Sequence, residues 1–168
     1  GRCVGSLGTA AGFSLHPLKN LGVSGDGGLI TTNDSELNSK LRLLRNHGLR
    51  NRDECEIWGY NSRLDSLQAA FAEIKLAKLD EWNRRCREIA GAYRNELSSF
   101  VQVPVDKPWE NCAYHNFVIR TEHRDKLMKY LKDCHVDTRV HYPIPIHLQD
   151  AASELGYRTG DFPNAENF

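Results

Sequence analysis

Apolar and polar positions along the chain follow two periods. "TAAGFSL", Thr9 to Leu15, is small and apolar like a buried strand, and "GGLITT", Gly27 to Thr32, ends in β-branched residues that predict a second strand. "NDSEL" follows, where Asn33, Asp34 or Ser35 can cap a helix whose Leu37, Leu41 and Leu44 share one face. Gly48 in "NHG" is the expected stop of that helix. A polar loop, Leu49 to Trp58, comes next. From Leu64 the apolar positions are Leu67, Phe71, Ile74, Leu79, Trp82, Cys86, Ile89, Tyr93 and Leu97, mostly three or four apart, which predicts one long amphipathic helix weakened only at Gly91. After the proline-containing connector "VQVPVDKPWEN", "AYHNFVIR" alternates like a half-buried strand and "RDKLMKYLKDCHV" reads as a helix. Three parts follow: 1–63, a strand–strand–helix portion; 64–97, the long connecting helix; and 98–168, a separate α+β unit.

Composition narrows the function classes. With 168 residues, 40% hydrophobic and 26% charged, the chain has the make-up of one ordinary domain or two small ones. Its 22 basic residues are scattered among 22 acidic ones, so neither a nucleic acid nor an acidic membrane surface is an expected partner. No apolar run approaches the about 18 residues of a membrane span. The five cysteines are odd in number and widely spaced, which fits neither a disulfide framework nor a metal-binding pair and points to a reducing compartment. The chain begins at Gly1 inside a glycine-punctuated segment and stops just after "GDFPNAENF". It is expected to be a piece of a longer protein, cut at both ends.

The chemistry concentrates around Lys19. Pro17 stands two positions before it and glycines at 22, 25, 27 and 28 follow it. Such a frame fixes φ on one side and lets the backbone approach a bound group on the other. A lysine amine attacks an aldehyde only when neutral, and a pKa near ~10.4 leaves it charged at neutral pH unless something holds and desolvates it. A turn-forming loop with a solvated lysine explains the same local pattern.

The blocks "FSLHPLKNLGVSGDGGLITTND", "LRNHG", "GYNSRLDSLQAA", "KLDEWNRRCREIAGAY" and "VHYPIPIHLQ" occur in an order that resembles the DegT/DnrJ/EryC1/StrS family of pyridoxal-phosphate-dependent sugar aminotransferases. The resemblance runs over essentially the whole chain. It implies an α/β class, the type I aminotransferase fold, present in part: the end of the large domain, the connecting helix and most of the small domain. It implies that Lys19, in the S-x-x-P-x-K block, bonds covalently to pyridoxal 5'-phosphate and later moves the substrate's α-proton. Ser14 matches the serine that binds the cofactor phosphate. Asn61 of "GYNSRL" resembles a residue that reaches the partner's cofactor phosphate across a homodimer interface, and Arg63 resembles one that contacts the nucleotide-sugar substrate; a helix cap and a surface ion pair are their plainer alternatives. His47 is placed near the same interface, or is merely a favourable charge at a helix end. His141 and Tyr142 are the candidate sugar contacts, with His147 less secure. A metal site at the two histidines is not expected, for want of a third ligand. Of Tyr114 and His115, at least one should be structural, because neighbours on a strand face opposite ways.

The family's ring-nitrogen carboxylate, stacking side chain and glycine-rich phosphate turn come from segments ahead of the lysine block. The resemblance therefore implies a chain inactive by itself. The implied reaction moves an amino group from an amino acid, glutamate, to a keto group of a nucleotide-linked sugar, for amino-sugar and polysaccharide biosynthesis in the cytoplasm. Lys19 argues against the related dehydratases, in which histidine replaces this lysine. A non-catalytic regulatory or scaffold protein that kept the fold is the alternative.

Overall fold

A computed structural model describes residues 1–167. Both expected strands form. β1 (Ala10–Ser14) and β2 (Gly28–Thr32) pair antiparallel, with Ala10 opposite Thr32 and Ser14 opposite Gly28, so the connection 15–27 that carries Lys19 leaves and re-enters the same end of the ladder.

α1 (Ser35–Leu44) is capped by Asp34, whose Oδ1 accepts the backbone N–H groups of Glu36 at 2.9 Å and Leu37 at 3.0 Å. It ends ahead of the glycine expected to stop it. His47 (φ 58°) and Gly48 (φ 74°) form the turn beyond, and the Gly48 N–H returns to the Leu43 carbonyl at 2.8 Å. Only glycine fits there: a Cβ on Gly48 would stand 1.6 Å from the Ile57 carbonyl oxygen. The returning segment then satisfies the helix end, Tyr60 donating to Leu44 O at 2.7 Å and Ser62 to Arg45 O at 2.9 Å.

The one long helix expected over 64–97 is instead two, α2 (Ser66–Leu76) and α3 (Leu79–Leu97). At the break Lys78 N–H bonds Lys75 O at 2.9 Å, three residues back rather than four. The apolar stripe steps five positions from Ile74 to Leu79, which would carry Leu79 off the common face of a continuous helix. Asp80 and Glu81 then lie in the first turn of α3, where acidic groups favour a new N-terminus. The cap of α2 is Asp65, so Asn61 and Ser62 precede the helix rather than start it.

The strand expected over "AYHNFVIR" is absent. Tyr114 adopts φ 48°, which interrupts extended backbone, and only Arg120 pairs across, exchanging bonds of 2.9 and 3.0 Å with Gln102. α4 (Arg124–Asp133) forms as expected. Two 3-10 turns, Ile146–Leu148 and Asp150–Leu155, and a short α5 (Pro163–Glu166) complete the described chain. The chain gathers into two compact units, Gly1–Arg120 and Thr121 onward.

Among the described residues the buried apolar side chains are four: Leu15, Val23, Ala90 and Ala152. The stripe of α2 that should face a core is open, with Leu67 70% and Ile74 71% exposed. A 19.1 kDa chain folded as one compact body exposes about 8,400 Å², and about 10,000 Å² if split into two. This chain exposes 14077 Å². No helix among the described residues is long and apolar enough to cross a membrane.

Candidate active site

The lysine loop is anchored from below. Leu15 and Val23, 3% and 1% exposed, bracket it in sequence, and the Val23 N–H closes it by donating to Leu15 O at 2.8 Å. Leu15 N–H in turn reaches Gly27 O at 2.8 Å, and Leu64 and Val23 press against Gly27 so closely that a Cβ there would meet both at 3.0 Å. Gly22 is equally constrained, since a Cβ would lie 2.4 Å from Pro17 O. α2 clamps the far arm: Lys75 Nζ donates to Gly22 O at 2.6 Å, and the Ser24 N–H donates to Gln68 Oε1 at 2.8 Å. The rigidity of the frame around Lys19 thus comes from packing and backbone hydrogen bonds, with the proline and glycines permitting it.

Within the loop, Lys19 N–H bonds His16 O at 2.8 Å, and the His16 N–H donates to Ser14 Oγ at 3.2 Å. The hydroxyl is used there as an acceptor, which leaves its own proton to donate elsewhere. The donor set fits pyridoxal phosphate: a primary amine for an aldehyde carbon, and on the same loop a hydroxyl able to donate to a phosphate oxygen.

The Lys19 Nζ lies 3.4 Å from His115 Nε2. The next residue, Asn20, donates through Nδ2 to Asn83 Oδ1 of α3 at 2.7 Å and to Ala113 O at 2.9 Å. Tyr114 points away, to Arg94 of α3. Arg94 donates to the Tyr114 hydroxyl, stands 5.8 Å from the centre of its ring, and is itself fixed by Pro104 O at 3.0 Å and Asp106 Oδ2 at 3.4 Å. Burial, then the Asp106 carboxylate facing the hydroxyl, pushes the Tyr114 phenol up to about 12. Tyr114 thus anchors and His115 reaches the lysine, a division that does not come from strand alternation, since no strand forms here.

Asn61 and Arg63 form a second group. Arg63 donates to Asn61 Oδ1 at 3.0 Å and to Asn46 Oδ1 at 3.4 Å, and the Asn46 and Asn61 backbones pair as an antiparallel bridge. Carboxamides, not a carboxylate, thus hold the guanidinium, and both side chains remain exposed. His47 belongs to the turn beside them, its N–H donating to Tyr60 O at 2.8 Å.

In the second unit His141 and Tyr142 are exposed, their rings edge-on with centres 5.4 Å apart. His147 differs from them: only 9% of its side chain is exposed, and its Nε2 lies 2.9 Å from Glu166 Oε1. That carboxylate also accepts the Gly160 N–H at 2.8 Å and the Phe162 N–H at 3.2 Å, bonds that together with His147 hold it below the usual carboxylate range. His147 is a structural tie. Asn20, Asn83 and Arg94 went unnoticed in the sequence, although Asn20 directly follows the lysine and Arg94 is the basic residue of the last turn of α3.

The model of the DegT/DnrJ/EryC1/StrS aminotransferase family matches residues 1–168. The chain belongs to that family. It is 45% identical over 169 residues to the erythromycin biosynthesis sensory transduction protein EryC1 of Saccharopolyspora erythraea, covering 99% of this chain and 46% of that one. It is 43% identical to the dTDP-3-amino-3,4,6-trideoxy-alpha-D-glucose transaminase of Streptomyces venezuelae, over 100% of this chain and 45% of the other. Among solved structures it is similar to S. venezuelae DesV in complex with a ketimine intermediate, with a TM-score of 0.92 and 43% identity over 98% of this chain and 45% of that one. This chain thus has part of the α/β fold of the family, and spans about half the length of the relatives it matches.

Proposed function

We propose that this chain is the lysine-bearing part of a pyridoxal-phosphate-dependent aminotransferase that moves an amino group from an amino acid, glutamate, to a keto group of a nucleotide-linked sugar. The observation that carries this is the framed loop of Lys19, tied through His16 to a Ser14 hydroxyl that keeps a proton to donate, within a family of aminotransferases. When bound, the cofactor supplies an aldehyde that carries the amino group and a ring that withdraws electrons from the adjacent carbon. Lys19 Nζ would hold that aldehyde at rest and, when free of it, would take a proton from the substrate carbon and return it. Ser14 Oγ donates to the phosphate. Asn61 of one protomer supports the phosphate bound by its partner in a homodimer, Arg63 meets the nucleotide-sugar there, and His141 and Tyr142 meet the sugar with donors suited to its hydroxyls. The place of work is the cytoplasm, and the product serves amino-sugar and polysaccharide biosynthesis.

The uncovered apolar stripe of α2 and an exposed area well above that of a compact chain support a further point. The parts 1–63, 64–97 and 98–168 belong to a longer fold whose remaining segments complete the site, and this chain alone does not turn over.

The test is chemical. The protein is incubated with pyridoxal phosphate, reduced with borohydride and digested, and the modified lysine is located by peptide mass. Label at Lys19, lost in Lys19→Ala, is expected; label at another lysine removes the assignment. A second reading, a regulatory protein that retains the fold, is favoured by the name of the Saccharopolyspora erythraea relative. A protein that takes no label at Lys19 and yet folds would support it.

A further inference from the structure

We propose that His115 is a positioning residue for Lys19: its imidazole holds the lysine amine in the loop whenever that amine is not bonded to the cofactor. This inference rests on the aminotransferase role proposed above and names a residue of the same site.

The chemistry of the pair fixes its direction. A lysine ammonium has three donors and no acceptor, so in this contact the amine donates and His115 Nε2, 3.4 Å away, accepts. The distance is at the long end for a hydrogen bond, so its weight comes from how it is built rather than from its length. Three contacts place the imidazole. The Asn20 carboxamide straps the residue after the lysine to the Ala113 carbonyl, two positions before His115, at 2.9 Å. The same Nδ2 is held by Asn83 Oδ1 of α3 at 2.7 Å, so the strap has a fixed base. Tyr114 then turns through φ 48° and is gripped by Arg94, itself seated on Pro104 O at 3.0 Å. With the backbone held at 113 and the side chain held at 114, His115 is directed back at the lysine loop.

Such a contact has a use in a reaction where the amine is repeatedly released. A four-carbon stem freed from its covalent partner samples many rotamers. An acceptor at one side of the loop confines the amine near the position it must regain, which preserves its high effective concentration. The acceptor must also be neutral and single, since a carboxylate in the same place would bind the ammonium more strongly and oppose its return.

The pair can be read without activity. The cofactor-free protein is acetylated with a trace of amine-acylating reagent at pH 7, and the rate at each lysine is obtained by peptide mass, with Lys40 and Lys129 as internal references. An ammonium held by His115 must give up that contact and a proton before its nitrogen has a lone pair with which to attack. His115→Phe is therefore expected to raise the relative rate at Lys19 about 5-fold, the scale of one net hydrogen bond. His115→Gln, whose amide oxygen still accepts, is expected to raise it less. Equal rates in all three proteins, or the same rise in both variants, would overturn the positioning role; circular dichroism confirms that each variant is folded. Failure of the two proposals is separable. Borohydride fixation at Lys19 with no effect of His115 on acetylation removes only the present inference, whereas dependence on His115 without fixation removes the cofactor assignment and leaves the contact.

Discussion

The Val23 N–H donates to the Leu15 carbonyl at 2.8 Å, and this one bond closes the base of the loop from which Lys19 projects. Lys19 lies between two of the most buried side chains among the described residues, Leu15 and Val23. Gly22 is the point at which that closure is tightest, because a Cβ would approach Pro17 O to 2.4 Å. Gly22→Ala is expected to open the loop and lower pyridoxal phosphate fixation at Lys19 several-fold, with the label measured by peptide mass. Fixation equal to the wild type would show that the loop tolerates the shift.

Gly48→Ala tests the turn beneath Asn61. The substitution combines φ 74° with a Cβ 1.6 Å from Ile57 O, so the segment 57–62 must move. The left-handed conformation alone costs an L-residue about 1–2 kcal/mol, and the clash adds to it. A loss of more than about 2 kcal/mol in urea unfolding is expected, and a variant as stable as the wild type would contradict the geometry.

Whether Asn61 serves its own chain or its partner is decided by mixing. In the homodimer proposed above, Lys19→Ala and Asn61→Ala proteins are each expected to take up less pyridoxal phosphate, whereas a mixed dimer would have one site that takes Lys19 from one chain and Asn61 from the other. Random re-association of a symmetric dimer should then restore about one quarter of the wild-type sites. No recovery on mixing means that Asn61 acts within its own chain.

Tyr114 should titrate late among the six tyrosines. Burial and Asp106 raise its phenol from 10.0 to about 12, so the folded state keeps a proton that the unfolded chain releases first. The stability this contributes is complete below pH 10 and declines as pH rises toward about 12. Absorbance at 295 nm is expected to show a component titrating above the others and missing in Tyr114→Phe; Tyr130, which Cys134 also holds up, is separated by that substitution.

Glu166 gives the opposite window. Its carboxylate is held below 4.5 by the Gly160 N–H first, with Phe162 and His147 adding to it. The stability it contributes is present above that value and lost as pH falls through the lowered folded value. Glu166→Gln should flatten the acid dependence of hydrogen-exchange protection, corrected for intrinsic rates, over 144–166. An unchanged acid profile would place the dependence elsewhere.

Local signals carried much of this structure. The β-branched run after Gly28, the Asp34 cap and the periodicity of α4 each depend on residues close in sequence, and each formed where it was expected. The break between α2 and α3 was written in the five-residue step from Ile74 to Leu79, a phase change that a count of apolar spacings passes over. The strand expected over 113–120 failed for a reason outside its own pattern, since its course depends on Arg94, twenty residues earlier, gripping Tyr114. In the candidate site, the hydrogen bonds that join Ser14, His16 and Lys19 link residues close in sequence, so that neighbourhood was legible. The His115 contact was not, because it spans 96 positions and depends on a strap made by Asn20.

The open stripe of α2 has a thermodynamic meaning. With four buried apolar side chains among the described residues set against the entropy of ordering the backbone, a polypeptide that covers that face would add to the stability. Its melting temperature should then climb above the value of the chain by itself as the concentration of a covering polypeptide rises, as mass action requires.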